Sequence, residues 1–280
     1  PANESLVKTF KRCHDYIYGN EGHKKDAFWE LLNLIFCKLY DEKRIQEDAR
    51  KGESYHRRFW VGVKERNTPE GQHAVAERIK GVFEELKTSQ IFKDVFDGNE
   101  MINLSDRGIA AVASELAKYS FTDATVDVKG TAYETIVGTT LKREAGQFFT
   151  PRNVIRCMVD MLDPGEDDRV ADIACGTGGF IVSVLDHVRH KIARRLFPDA
   201  DELHLKVKLN DISVIDATRE YAETKLFGFD FDPDLKKAAR MNMVMAGDGH
   251  TNIFNINSLE YPKGALPDVS KVAEAVNESI

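Results

Sequence analysis

Two aspartates and a glycine turn are the residues of this chain best placed to do chemistry. The run Asp172-Ile173-Ala174-Cys175-Gly176-Thr177-Gly178-Gly179-Phe180 puts an acid ahead of three glycines and an apolar helix start. Glycine has no Cβ, so the backbone N–H groups of such a turn can approach a bound molecule closely. A second acid, Asp230, lies in Gly228-Phe229-Asp230-Phe231-Asp232-Pro233. Upstream, Gly146-Gln147-Phe148-Phe149-Thr150-Pro151 reads as a helix entry, with Thr150 placed to cap and Pro151 at the first helical position.

The spacing separates two kinds of cofactor. In the dinucleotide fingerprint G-x-G-x-x-G the third glycine would fall on Ile181, and the next strand-end acid lies far beyond the usual separation of about 20 residues. A pyrophosphate site is therefore broken. S-adenosyl-L-methionine suits the pattern better, because it carries an ammonium and ribose hydroxyls but no phosphate. One carboxylate can accept from the ammonium and another from the hydroxyls. Asp230 fits the ribose role, and Asp232 the cap of the following helix. The bland alternative is a strand-to-helix turn without a ligand. Cys175 reads as a small residue in a tight space, since no Cys–His arrangement accompanies it. His187 and His190 read as a helix surface without an acid or thiol nearby in sequence. Phe148 and Phe149 divide between core packing and flanking the cofactor's adenine.

These residues need elements to hold them. From about residue 125 onward, helices are expected over 151–162, 180–195 and 234–245, and strands over 169–174, 226–231 and 252–256. Strands alternating with helices predict an α/β fold with a parallel, doubly wound sheet, whose ligands bind beyond the strands' carboxyl ends. Asp172 and Asp230 would then face one crevice. Residues 196–225 exceed the usual connection of about 2–6 residues, so an added loop or small hairpin is expected. Before residue 125 the texture is helical. Phe28, Leu31, Leu32, Ile35, Phe36 and Leu39 form one apolar stripe, Val82, Phe83 and Leu86 start a second, and Ile109, Val112, Ala113 and Leu116 a third, opened by Ser105-Asp106. The charged stretch 41–72, with Gly52, Gly62 and Pro69, predicts a long loop or irregular helices.

The chain has 280 residues, 42% hydrophobic and 30% charged, and can bury a sizeable core. No apolar run reaches the roughly 18 residues of a membrane span, and no signal segment opens the chain. Pro1 is no initiator, so the start is expected to have been trimmed. Four scattered cysteines predict reduced thiols in a cytoplasmic setting. The net charge of −7 speaks against an autonomous DNA-binding domain, so phosphate contacts on DNA would come mainly from a partner or from other sequence.

Gly146 through Arg152, followed by Asp172 through Phe180, resembles the N6-adenine DNA methyltransferases. More narrowly, the pair is similar to the modification (M) subunit of type I restriction-modification systems. Lys129-Gly130-Thr131-Ala132-Tyr133-Glu134 and the segment Trp29 to Phe36 resemble that family's N-terminal part, so the likeness covers nearly the whole chain. It implies a helical N-terminal domain over 1–125 and part of a methyltransferase cofactor-binding domain, Rossmann-like, over 126–280. Carried over by position, cofactor contacts fall on Gln147, Phe148, Phe149, Thr150, Pro151, Arg152, Gly176, Thr177, Gly178, Gly179 and Asp230. Asp172 takes the acidic position facing the methionine end. Asn257, before Ser258-Leu259, stands where the family has an aspartate near the adenine, and its amide oxygen can accept from the adenine amino group.

One family feature is missing. The catalytic Asn/Asp-Pro-Pro-aromatic motif holds a flipped adenine by its exocyclic amine, and this sequence contains no Pro-Pro. The expectation is a shortened chain that carries the cofactor half of the site, no catalytic residue, and no turnover of its own. The implied partners are DNA and the specificity and restriction subunits of the same system. A single-chain restriction–methylation enzyme and a non-catalytic assembly module are the alternatives.

Overall fold

Helix α2 (Ala27–Lys51) is the centre of the first half of the chain, and its composition explains why. The stripe Phe28, Leu31, Leu32, Ile35, Phe36 and Leu39 is fully buried, and so are Leu34, Cys37 and Tyr40 on other faces. A helix buried on nearly every face from residue 30 to residue 42 belongs inside a bundle. A computed structural model describes residues 2–22, 26–89, 92, 95–96, 98–122, 124, 129–137, 150–247 and 252–278. The chain forms two units, Pro1–Gln147 and Phe148–Ile280.

In the first unit α2 is accompanied by α1 (Ala2–Asn20), α3 (Val63–Asn67), α4 (Pro69–Thr88), α5 (Asp106–Leu116) and a helix over residues 129–137, α6. The stripes on α4 and α5 are buried as their spacing predicts. Ser105 caps α5 by accepting the Gly108 N–H at 3.0 Å. The charged stretch after residue 41 departs from expectation, because α2 runs on to Lys51 and stops only where Gly52 turns left-handed, φ 72°. Its acids are occupied as acceptors. Asp41 takes the N–H groups of Arg58 and Phe59 and the Tyr55 hydroxyl. Glu42 takes the N–H of Phe121 at 2.7 Å and the Lys38 ammonium at 2.6 Å. Buried carboxylates that pin loop backbones are invisible to an apolar periodicity.

The second unit contains α7 (Arg152–Leu162), β1 (Val170–Asp172), α8 (Gly179–Leu196), α9 (Glu202–Lys208), α10 (Ile212–Lys225), β2 (Leu226–Asp230), α11 (Pro233–Ala246), β3 (Ile253–Asn255) and α12 (Val269–Glu278). The strands form a parallel sheet in the order β1-β2-β3, with Asp172 opposite Gly228 and Asp230 opposite Asn255. Ile181 of α8 lies against Gly228 on one face, while Phe227, Phe229, Phe254 and Ile256 pack against Val272 of α12 on the other. Helices on both faces make the sheet doubly wound. β1 is an edge strand with Ala171 exposed. Next to it an apolar hollow of about 440 Å³ opens between Ala171, Ile173, Phe227, Phe229, Ile256 and Val272.

Two expectations fail here for identifiable reasons. Residues 196–225 form neither a loop nor a hairpin but helices α9 and α10. Asp201 caps α9 through the N–H groups of Leu203 and His204, and Asp211 caps α10 through that of Ser213. Thr150 does not cap α7, and Pro151 is not its first residue. Pro151 precedes the helix with ψ 139°, and its carbonyl accepts the N–H groups of Val154 and Ile155.

Candidate cofactor site at the strand carboxyl ends

The strand ends expected to form the crevice continue as three chain segments leaving the sheet side by side. β1 ends at Asp172 and passes through the glycine turn into α8. Gly176 (φ 54°) and Gly178 (φ 79°) are both left-handed, a conformation that side chains disfavour. The turn is fastened to its neighbours. The Cys175 N–H donates to the Phe229 carbonyl at 2.9 Å, and the Gly178 N–H to the Cys175 carbonyl at 2.8 Å. Gly178 lies against Ala239 of α11, and the Thr177 carbonyl accepts from Asn242 Nδ2 at 3.0 Å.

Asp230 joins the two halves. Its Oδ2 accepts the Gly176 N–H at 2.9 Å and its Oδ1 the Asp232 N–H at 3.0 Å. These bonds use two of the roughly four lone-pair sites a carboxylate offers. Asp172 Oδ1 accepts the Ala174 N–H at 3.2 Å. Burial pushes the Asp172 carboxyl above its ordinary value, the Ala174 N–H pulls the other way, and the negative charge of Asp230 adds to the rise. A crevice in which one carboxylate already disfavours another suits a cation and repels a phosphate. The third segment follows β3. Ser258 Oγ donates to the Ile173 carbonyl at 2.6 Å, which ties this segment to the one after β1. Asn257 Oδ1, the atom expected to reach adenine, accepts the Leu259 N–H at 3.2 Å.

The structure thus brings together Asp172, Gly176, Thr177, Gly178, Gly179 and Asp230, with Asn257 on the adjacent segment. Thr150 and Pro151 are exposed ahead of α7, and Arg152 opens that helix. Gln147, Phe148 and Phe149 lie outside the described residues. Cys175 is buried, and burial together with Asp172 and Asp230 drives its thiol pKa upward, so it stays protonated. His187 differs from its expected surroundings, because Asp163 stands 2.9 Å and Asp160 3.5 Å from its ring. Both acids come from the end of α7, across the turn to β1.

Sequence reasoning missed Phe231. Alternation along β2 sends Phe227 and Phe229 into the core, and Phe231, one step past the strand, emerges 66% exposed beside Asp230. An aromatic between two aspartates at a strand exit is the signal that could have found it.

A parallel sheet with helices on both faces and strand-end carboxylates around a glycine turn defines a doubly wound α/β fold, in which ligands bind beyond the strands' carboxyl ends. Residues 124–276 match the family model for N-6 DNA methylase, and the chain belongs to that family. It is 24% identical over 252 residues to the type I restriction enzyme EcoKI methylase subunit of Escherichia coli K12, covering 87% of this chain and 43% of that protein. It is 28% identical over 116 residues to the type II restriction enzyme and methyltransferase RM.BcgI of Heyndrickxia coagulans, covering 41% of this chain and 15% of that one. A chain solved in work on complex assembly and conformational transition of the type I R-M system superposes with a TM-score of 0.54 at 21% identity, covering 92% of this chain and 52% of its own. The chain spans less than half the length of these curated relatives.

Proposed function

We propose that this chain is the cofactor-binding portion of a site-specific DNA adenine N6-methyltransferase subunit of a type I restriction-modification system. The observation that carries the reading is the pair Asp172 and Asp230 at neighbouring strand ends, Asp230 holding the Gly176 N–H of the glycine turn and its charge raising the Asp172 carboxyl's pKa. S-adenosyl-L-methionine, when bound, supplies an electrophilic methyl group on a sulfonium. The donor set fits it. Asp172, whose charge burial disfavours, accepts from the ammonium of the methionine end, and Asp230 offers its remaining lone pairs to the ribose hydroxyls. The exposed Phe231 ring gives the adenine an apolar plate. Gly176, where an added Cβ would meet nothing within 4 Å, leaves the turn's approach open, and Thr150 to Arg152 bring the preceding segment towards the methionine end.

Transfer to adenine calls for the Asn/Asp-Pro-Pro-aromatic motif, which these 280 residues do not contain. Methylation therefore depends on residues outside them, and the chain by itself holds a cofactor without turning it over. The similarity to EcoKI's methylase subunit over 87% of this chain supports specificity and restriction subunits and DNA as partners. The charge of −7 fits DNA contacts made mainly elsewhere. The four free cysteines fit a cytoplasmic setting, and no helix among the described residues is long and apolar enough to cross a membrane. The likeness to RM.BcgI favours one second reading, the methyltransferase part of a single-chain restriction–methylation enzyme.

Calorimetric titration with S-adenosylmethionine tests the proposal. The chain binds it, and Asp230→Ala and Gly178→Val both lose affinity. Unchanged affinity in both variants refutes the assignment.

A further inference from the structure

The carboxylate of Asp230 and the ring of Phe231 are only as well aimed as the backbone that carries them, and that backbone is held from below. Asn255, the last residue of β3, donates from Nδ2 to the Asp230 carbonyl at 3.0 Å and to the Phe231 carbonyl at 2.8 Å. Its own N–H donates to Asp268 Oδ2 at 2.8 Å, and the same oxygen accepts the Lys236 ammonium at 2.6 Å. Asn255 is 4% and Asp268 2% exposed, so both act from beneath the crevice. Lys236 belongs to α11, and Asp268 immediately precedes α12. A continuous hydrogen-bonded chain thus runs from both flanking helices through Asn255 to the exit of β2.

Most of this chain goes beyond what the sheet itself requires. The Ile256 N–H already reaches the Asp230 carbonyl at 3.1 Å, as the parallel ladder demands. The Phe231 carbonyl lies past the end of β2, outside the ladder, and Asn255 Nδ2 reaches it there. Its two amide hydrogens fix two successive peptide groups and with them the direction in which residues 230 and 231 face.

Resting on the cofactor reading above, we propose that Asn255 is a positioning residue for the nucleoside end of the cofactor, braced by Asp268 and Lys236. It acts through residues 230 and 231 and touches no ligand. Asn255→Leu keeps the side chain's size and removes both donors. Asn255→Asp turns a carboxylate oxygen toward two carbonyls. Each loosens residues 230 and 231, while the Ile256 N–H on the Asp230 carbonyl and the Cys175 N–H on the Phe229 carbonyl still hold the strand and the turn.

The test compares two ligands at a temperature well below every variant's melting point. One is S-adenosylhomocysteine, and the other is 5′-methylthioadenosine, which keeps adenine and ribose but lacks the amino-acid end. In the Asn255 variants both ligands weaken by the same factor, about ten- to hundredfold, the range seen when outer-shell partners of metal ligands are removed. Leu205→Ala, in the buried part of α9, matches the loss of melting temperature and leaves both affinities within about twofold. Asp172→Asn weakens S-adenosylhomocysteine selectively. If Asn255→Leu fails to fold, Asp268→Asn replaces it, and both ligands again weaken equally but less. Affinities in the Asn255 and Asp268 variants equal to those of Leu205→Ala overturn the positioning role while the cofactor reading stands. A wild-type chain that binds neither ligand overturns both.

Discussion

Adding one methyl group to the glycine turn separates backbone strain from packing. Gly176 and Gly178 are both left-handed, and an L-residue there costs about 1–2 kcal/mol. Their surroundings differ. A Cβ at Gly176 meets nothing within 4 Å, whereas one at Gly178 falls 3.3 Å from the Ala239 Cβ and 3.4 Å from its Cα. The second contact is against helix α11, which Lys236 and Asn242 fasten on either side of Ala239. Overpacking a rigid site adds about 1–3 kcal/mol. Gly176→Ala is therefore expected to cost about 1–2 kcal/mol and Gly178→Ala about 2–5 kcal/mol, with about 3–6 °C of melting temperature per kcal/mol for a unit of this size. Urea melts followed by circular dichroism give both values. A double-mutant cycle with Ala239→Gly isolates the contact, because the helix glycine's own cost cancels between its arms. The expected coupling is favourable by about 1 kcal/mol. Gly178→Ala no more destabilised than Gly176→Ala, with zero coupling, would refute the claim that α11 sets the position of the turn.

Asp172→Asn is expected to stabilise the protein at neutral pH while weakening cofactor binding. The wild-type carboxyl has its pKa raised in the fold, first by burial, so ionising it costs stability. That cost accrues as pH rises from the ordinary carboxylate value through the raised one. A melting temperature that falls in wild type relative to Asp172→Asn over that interval meets the expectation, and a variant less stable than wild type at neutral pH contradicts it. At Asp268 burial pushes the carboxyl up, but Lys236, the Asn255 N–H and Lys271 outweigh it and hold the group below its ordinary value. The stability from this pair is present at neutral pH and disappears as pH falls through that lowered value. Lys236→Met should cost about 3 kcal/mol, the low end for a broken buried pair, because Lys271 remains 3.2 Å away. Denaturant melts at pH 7 measure it, and a loss below about 1 kcal/mol would show the pair to be dispensable. Incubated with DNA and S-adenosylmethionine tritiated at the methyl group, the 280-residue chain should leave the DNA unlabelled above background, and steady incorporation would overturn the predicted lack of turnover.

What was legible in the sequence is the local chemistry. A strand ending in Asp172 and followed by glycines can only turn tightly, and Asp232-Pro233 announces a capped helix, with Asp232 accepting the N–H groups of Asp234 and Leu235. The approach of Asp172 and Asp230 followed from the parallel topology, which puts both at carboxyl ends. The interior acceptors and donors were not legible. Asp41 and Glu42 interrupt the apolar rhythm of α2, so a charged run that is helix reads as loop. Asn242 reaches a carbonyl 65 residues back in sequence, and no spacing rule connects the two. The caps at Asp201 and Asp211 were available, but the lack of apolar periodicity in 196–225 hid the helices they start. α9 keeps Leu203 and Val207 on its exposed side.

The outer margin of β1 has a practical consequence for handling the protein. Among the described residues it carries no neighbouring strand, and Ile173 stands exposed at its end, while α7 shows Met158, Met161 and Leu162 to solvent. The unpaired side of an edge strand is a template onto which a second molecule can add its own strand. Concentrated samples should sediment faster than dilute ones and melt at higher temperatures, so every thermal measurement on this protein needs a dilution series beside it.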